Sequence, residues 1–198
     1  MSSFNVKRIV IVIIAILLGI FFMTPIGQRL DFLIKKESIN LDLSEDIKDN
    51  ASMDLTSDSF ENEQKIPSQY TCDGENVNPP LSIGGVPEET ESLALTVTDP
   101  DAPAGTWTHW VIFNMPLDTD EIDEDSTPQD ALHGVNDFGN MKWGGPCPPS
   151  GEHRYVFKAY ALDTMLDLPA GANREALESA MEGHILDQAE LVGKYSRT

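Results

Sequence analysis

Two aspartates and two histidines stand where apolar stretches of the chain begin or end. In "LALTVTDPDAPAGTWTHWVIFNMP", Leu93 to Pro116, Asp99 and Asp101 follow one apolar run and His109 opens the next. His153 opens a third run, "RYVFKAYAL", straight after the Gly- and Pro-rich "GGPCPPSGE". Three chemistries use such a set. Two histidines and a carboxylate can hold zinc with one open position, although metal sites show tighter local spacing, such as H-x-x-x-H. Cys147 or Ser150 can act as a nucleophile with His109 or His153 as base, yet neither sits in a recognisable nucleophile motif. The imidazoles can also bind an anion, donating N–H bonds to phosphate oxygens while an aspartate fixes the tautomer or accepts from the ligand. The third use ranks first on residue chemistry. Each residue has a plainer role available: Asp-Pro pairs initiate turns, strand-end histidines are often only hydrogen-bonded, and Trp107 and Trp110 suit core or rim packing.

The elements that must position these groups are mainly β. "PPLSI", "SLALTVT", "HWVIFNM" and "RYVFKAYAL" read as strands, each bounded by Gly, Pro, Asn or Asp. Pro100 and Pro103 remove ladder donors and stop the strand that begins at Leu93. A short last strand is expected in "AELVGKY". One helix is expected in "NREALESAMEGH", with Asn173 as N-cap, Leu177 and Met181 on one face and Gly183 as its stop. "LDTDEIDEDSTPQD", Leu117 to Asp130, reads as a solvated acidic loop. Asn136 to His153 is too rich in Gly and Pro for regular structure, and an irregular segment of that length inside a domain usually has a function. If the runs from His109 and His153 pair with the Leu93 strand, their ends converge on one mouth; the sequence does not give the strand order.

The chain has 33 acidic and 13 basic residues, a formal net charge of -20. That argues against nucleic acid, whose phosphates need clustered Lys and Arg, and against electrostatic adsorption to anionic lipid. Cys72 and Cys147 are too few for a disulfide scaffold and permit one bridge or none. At the N-terminus, "IVIVIIAILLGIFFM" follows Lys7 and Arg8 and carries no charge. Extended to Ile26 it reaches the lower limit for a bilayer span, about 17 residues. "TPIGQRL" offers no small-residue cleavage pattern, so the reading is an uncleaved signal-anchor helix at about 9–26. The expected organisation is a single-pass membrane anchor over 1–30, an acidic stalk over 31–54 and a soluble, monomeric domain over 55–198, placed outside the cytoplasm.

"DPDAP" with "WTH", then "GGPCPPSGEHRYVFKAYALD", resembles the phosphatidylethanolamine-binding protein family in its bacterial and archaeal Raf-kinase-inhibitor-like branch. "YTCDGENVNPPLSI" and "GHILDQAELVGKYSR" match that branch too, so the resemblance covers about Leu55 to Arg197. It implies an antiparallel two-sheet β architecture with a C-terminal helix and a small anion pocket. The pocket residues it implies are Asp99, Asp101, His109, Pro148, Pro149, His153 and Tyr155. The implied ligand is a phosphorylated or carboxylated group, with no metal, cofactor or catalytic residue. An alternative is a protein inhibitor of a kinase or protease acting outside the pocket; a third is a metal- or Cys147-dependent hydrolase. Ile83 and Trp143 stand where the branch often carries Trp and Tyr, and the acidic loop and membrane segment have no counterpart in the core family.

Overall fold

A computed structural model describes residues 52–197. The expected membrane helix, and all of the expected stalk before residue 52, lie outside them. Nine strands are formed among the described residues: Asp54–Thr56 (β1), Gln64–Lys65 (β2), Leu81–Gly84 (β3), Ser92–Asp99 (β4), Trp107–Met115 (β5), Glu121–Ile122 (β6), Leu132–His133 (β7), Glu152–Leu162 (β8) and Ile185–Ser196 (β9). The helix Arg174–Met181 (α1) falls between β8 and β9. No helix among the described residues is long and apolar enough to cross a membrane.

Strand pairing makes two sheets. A large sheet runs β2-β9-β8-β4-β5-β7 and a small one runs β1-β3-β6. Every pair is antiparallel except β2 with β9, which agrees with the mainly antiparallel two-sheet architecture that the resemblance implies. The reason β4 reads as an almost unbroken apolar run is that both its faces are covered. On one face Leu93, Leu95 and Val97 pack with Trp110, Ile112 and Phe157 against Leu55, Leu81 and Ile83 of the small sheet. On the other, Ala94, Val111, Phe113 and Leu162 pack against Leu177 and Met181 of α1. Burial of each such large apolar side chain stabilises by roughly 1.5–3 kcal/mol.

The helix begins at its expected cap: the Asn173 side chain accepts from Ala176 N at 3.0 Å. Asn173→Ala should therefore destabilise by about 1 kcal/mol, read as a lower urea midpoint at an unchanged slope. Gly183, with φ of +82°, supplies the left-handed turn after the helix.

Two expectations need correction. The last strand is not short: β9 spans 12 residues because Ile185 to Glu190 extend it along β8 while remaining largely exposed. The acidic segment is not merely a solvated loop. It contains β6, whose Ile122 is 2 % exposed and faces Leu81 in the small sheet. Glu124 of the same segment accepts from Tyr70 Oη at 2.6 Å and Gln69 Nε2 at 2.8 Å.

Candidate functional site

Register explains how the polar groups meet. On β4, Asp99 lies two residues beyond Val97, and on β8, Tyr155 lies two residues before Phe157. Since Val97 pairs with Phe157, Asp99 and Tyr155 come to one end of the same sheet face. His109 reaches that face by an irregularity. Val97 pairs with Trp110 and Thr98 with Thr108, so His109 is an extra residue between them, a β-bulge. In a regular ladder His109 would oppose Thr98 and point to the helix side; the bulge re-aims it. Its ring instead meets Tyr155 edge-on, with centroids 5.1 Å apart.

Asp99 is buried and uses both carboxylate oxygens. Oδ1 accepts from Asp101 N at 2.8 Å, closing the Asp-Pro turn, and Oδ2 accepts from His153 Nδ1 at 2.7 Å. An ionised carboxylate only accepts, so Nδ1 of His153 carries the proton. Asp101 turns away to the surface. Its oxygens take Arg154 Nε at 2.9 Å, a second guanidinium nitrogen at 2.7 Å and Arg154 N at 3.0 Å. These bonds hold the Asp101 carboxyl down at about 2. The two aspartates of D-P-D therefore have different work: one lines the site, the other ties its turn to β8.

His109 donates from Nδ1 to Gly144 O, because a carbonyl can only accept. Nε2 of the neutral ring is left with its lone pair. Burial lowers the His109 pKa below the ordinary histidine range, opposed in part by the Gly144 carbonyl and the Asp99 charge. Tyr155 is fully buried, and its hydroxyl has no hydrogen-bond partner among the described residues. Burial, and then the nearby Asp99 charge, push its pKa up, so it remains a phenol. The Cys147 backbone lies near enough to offset part of this rise, without hydrogen-bond geometry.

These groups line a pocket of about 370 Å³, at the lower end of the roughly 300–1,000 Å³ typical of small-molecule sites. Asp99, His109 and Tyr155 supply its polar wall. Ala102, Pro103, Trp107, Phe138 and Pro149 supply an apolar one. Trp107 and His109 each meet Phe138 edge-on with centroids 5.4 Å apart.

The double glycine of "WGGPC" lets the loop approach. A Cβ on Gly144 would lie 2.6 Å from the Phe138 ring, and one on Gly145 would strike Asn76 and the Tyr70 carbonyl. Gly145 N instead donates to Asn76 Oδ1 at 2.8 Å. Next along, Cys147 is bonded to Cys72 with Cα atoms 5.4 Å apart, and Cys72 N donates to Pro146 O at 3.1 Å. The bridge therefore fastens a pocket-lining loop to the segment after Tyr70, and Cys147 is not a free thiolate.

Of the expected site residues, Asp99, His109, Pro149 and Tyr155 line the pocket together. Asp101, Pro148 and His153 do not; His153 stands behind Asp99 and reaches the cavity through it. Ser150 does not line it either. Phe138 was missed by sequence reasoning, because an aromatic inside "NDFGN" carries no signal until the loop is folded. Ala104 joins for the same reason, and Cys147, read as a candidate nucleophile, lines the pocket as half of a disulfide. Among the described residues no three His, Cys, Asp or Glu side chains are grouped to hold a metal.

The family model for phosphatidylethanolamine-binding proteins matches residues 56–196. A UPF0098 protein of Methanothermobacter thermautotrophicus is 53% identical over 150 residues, covering 73% of this chain and 99% of that protein. A UPF0098 protein of Pyrococcus abyssi is 50% identical over 147 residues, covering 70% and 82%. Among solved structures, a phosphatidylethanolamine-binding protein homologue of Chlamydia trachomatis superposes with a TM-score of 0.72 at 40% identity, covering 75% of this chain and 99% of that one. Escherichia coli YbcL, described as a new member of the mammalian phosphatidylethanolamine-binding protein family, superposes at 0.69 with 32% identity, covering 75% and 100%.

Proposed function

Since the chain belongs to the phosphatidylethanolamine-binding protein family, we propose that its pocket binds a small ligand through a phosphate or carboxylate group, with an apolar portion against Trp107 and Phe138. The observation that carries this reading is the unpartnered Tyr155 hydroxyl, a buried donor that requires an acceptor and faces the same cavity as His109 Nε2. An anion there stands beside the Asp99 carboxylate. The hydrogen bond from His153 Nδ1 to Asp99 Oδ2, at 2.7 Å, satisfies part of that charge. Protonated His109 then adds Nε2–H as a second donor to the anion.

The pH dependence follows from the depressed His109 pKa. At neutral pH the ring is uncharged and Nε2 repels an anionic oxygen; as pH falls below the ordinary value of about 6.5, Nε2 gains a proton and donates. Calorimetry with inorganic phosphate and with phosphoethanolamine should show tighter binding near pH 5.5 than near pH 7.5. His109→Ala should abolish that dependence and weaken binding at the lower pH about 10- to 150-fold. Equal affinities at the two pH values, or a His109→Ala variant that binds like the parent, overturn the reading. The same shift destabilises the empty fold in acid. The unfolded chain takes up the proton first, so the stability from neutral His109 is complete above about 6.5 and declines as pH falls below it.

Around the pocket we place the rest of the chain as a membrane-anchored protein with the domain outside the cytoplasm. The uncharged stretch Ile9 to Met23 supports an anchor, and a disulfide between Cys72 and Cys147 suits an oxidising compartment.

A further inference from the structure

The segment 142–149 borders two cavities. Cys147 and Pro149 line the pocket above, whereas Lys142 and Trp143 line a second cavity of about 360 Å³ that shares no lining residue with the first. Trp110 lies against this second cavity, 1 % exposed, and its indole Nε1 has no hydrogen-bond partner. Its edge-on neighbour Trp143 differs, donating from Nε1 to Tyr70 O at 3.1 Å. An indole N–H can only donate, and buried ones normally find an acceptor.

The cavity is also lined by part of the acidic segment whose sequence reads as a loop. The segment is held in place rather than free: Ser126 N donates to Asn78 Oδ1 at 3.1 Å, and Asn78 Nδ2 donates to Asp123 O at 2.9 Å. Asp125, Ser126 and Thr127 of this segment line the cavity, and so do Glu75 and Asn76. Asn76 commits its oxygen to Gly145 N and keeps its amide hydrogens.

This lining selects by charge. Two carboxylates, Glu75 and Asp125, oppose an anion, while Lys142 and the indole donor oppose a simple cation. Hydroxyl groups satisfy both, since each accepts and donates. We propose that this cavity is a second ligand site, for a small uncharged polyhydroxylated molecule of the polyol or saccharide class, with one ligand oxygen accepting from Trp110 Nε1–H.

The indole N–H proton reports on this directly. The chain has three tryptophans, and Trp110→Phe assigns the relevant resonance in nitrogen-labelled full-length protein in detergent. Titration with glucose or glycerol should move that resonance downfield to saturation, while inorganic phosphate and glycine leave it in place. Thr127→Phe, at an exposed lining residue, should raise the apparent Kd about tenfold or more without changing the melting temperature. It should also leave phosphate binding at the His109 pocket unaltered. A resonance that saturates with no probe, or shows cross-peaks only to water, overturns the proposal by making the indole partner solvent. Stronger saturation by glycine or phosphate overturns the ligand class.

Discussion

Asp99→Ala is expected to lower the unfolding free energy by about 3 kcal/mol or more, because it leaves the buried His153 imidazole without its partner. The same change removes the acceptor for Asp101 N and so loosens the turn between β4 and β5. Asp99→Asn separates the two losses. Its side-chain oxygen still accepts from Asp101 N, and its NH2 can donate to His153 once that ring changes tautomer, so about half of the stability should return. Ligand binding sorts the variants differently. Without the carboxylate, His153 has no electrostatic route into the pocket, and an anion no longer faces Asp99. In the folded fraction, Asp99→Asn should bind phosphate at least as well as the parent near neutral pH. Urea denaturation followed by calorimetry on each variant measures both. An Asp99→Ala protein as stable as the parent would show that the His153 contact contributes nothing net, and that His153 is better treated as a residue in its own right.

The contrast between Asp99 and Asp101 marks how far the sequence could be read. Proline and glycine boundaries define β4, β5 and β8 well: β4 and β5 are buried on both faces almost throughout, and β8 alternates buried with more exposed positions from Glu152 to Lys158 before its end is fully buried. β9 is different. Its first half is exposed, so Asp187, Gln188 and Glu190 hide it among polar residues, and only pairing with β8 makes it a strand. β1 and β6 are too short to carry a period, and Ile122 alone betrays that the acidic segment is anchored. Within the site, D-P-D puts both carboxylates at one strand end but cannot say which turns inward; that depends on Arg154, far along the chain. The bulge that turns His109 towards Tyr155 is likewise a property of the β4–β5 ladder, visible only once Thr98 is seen to pair with Thr108. Pattern located the strand ends. Long-range pairing decided which side chains share a pocket.

The same long-range logic gives the other large effect. Replacing Cys72 and Cys147 by Ser should destabilise by roughly 4–5 kcal/mol in the chain-entropy model, since the bridge closes a loop across 75 positions. A compensating gain from relieved contacts is small here, because both cysteines are largely exposed and their replacement opens little buried space. The pocket should feel the loss as well as the fold. Cys147 lines the cavity, and the loop before it supplies Gly144 O to His109 and Gly145 N to Asn76, so a released loop holds the His109 ring less firmly. Phosphate affinity near pH 5.5 should therefore fall in the double serine variant and in the reduced parent alike, under conditions where both remain folded. A thiol count on unfolded, unreduced protein comes first: two free thiols remove the bridge from the account. If the bridge is present but its loss shifts the urea midpoint by less than a third of the expected amount, the segment from Tyr70 to Asn76 is held mainly by its backbone bonds to Ser68 and Gln69. The stability would then reside in the turn itself, and the disulfide would matter chiefly to the pocket.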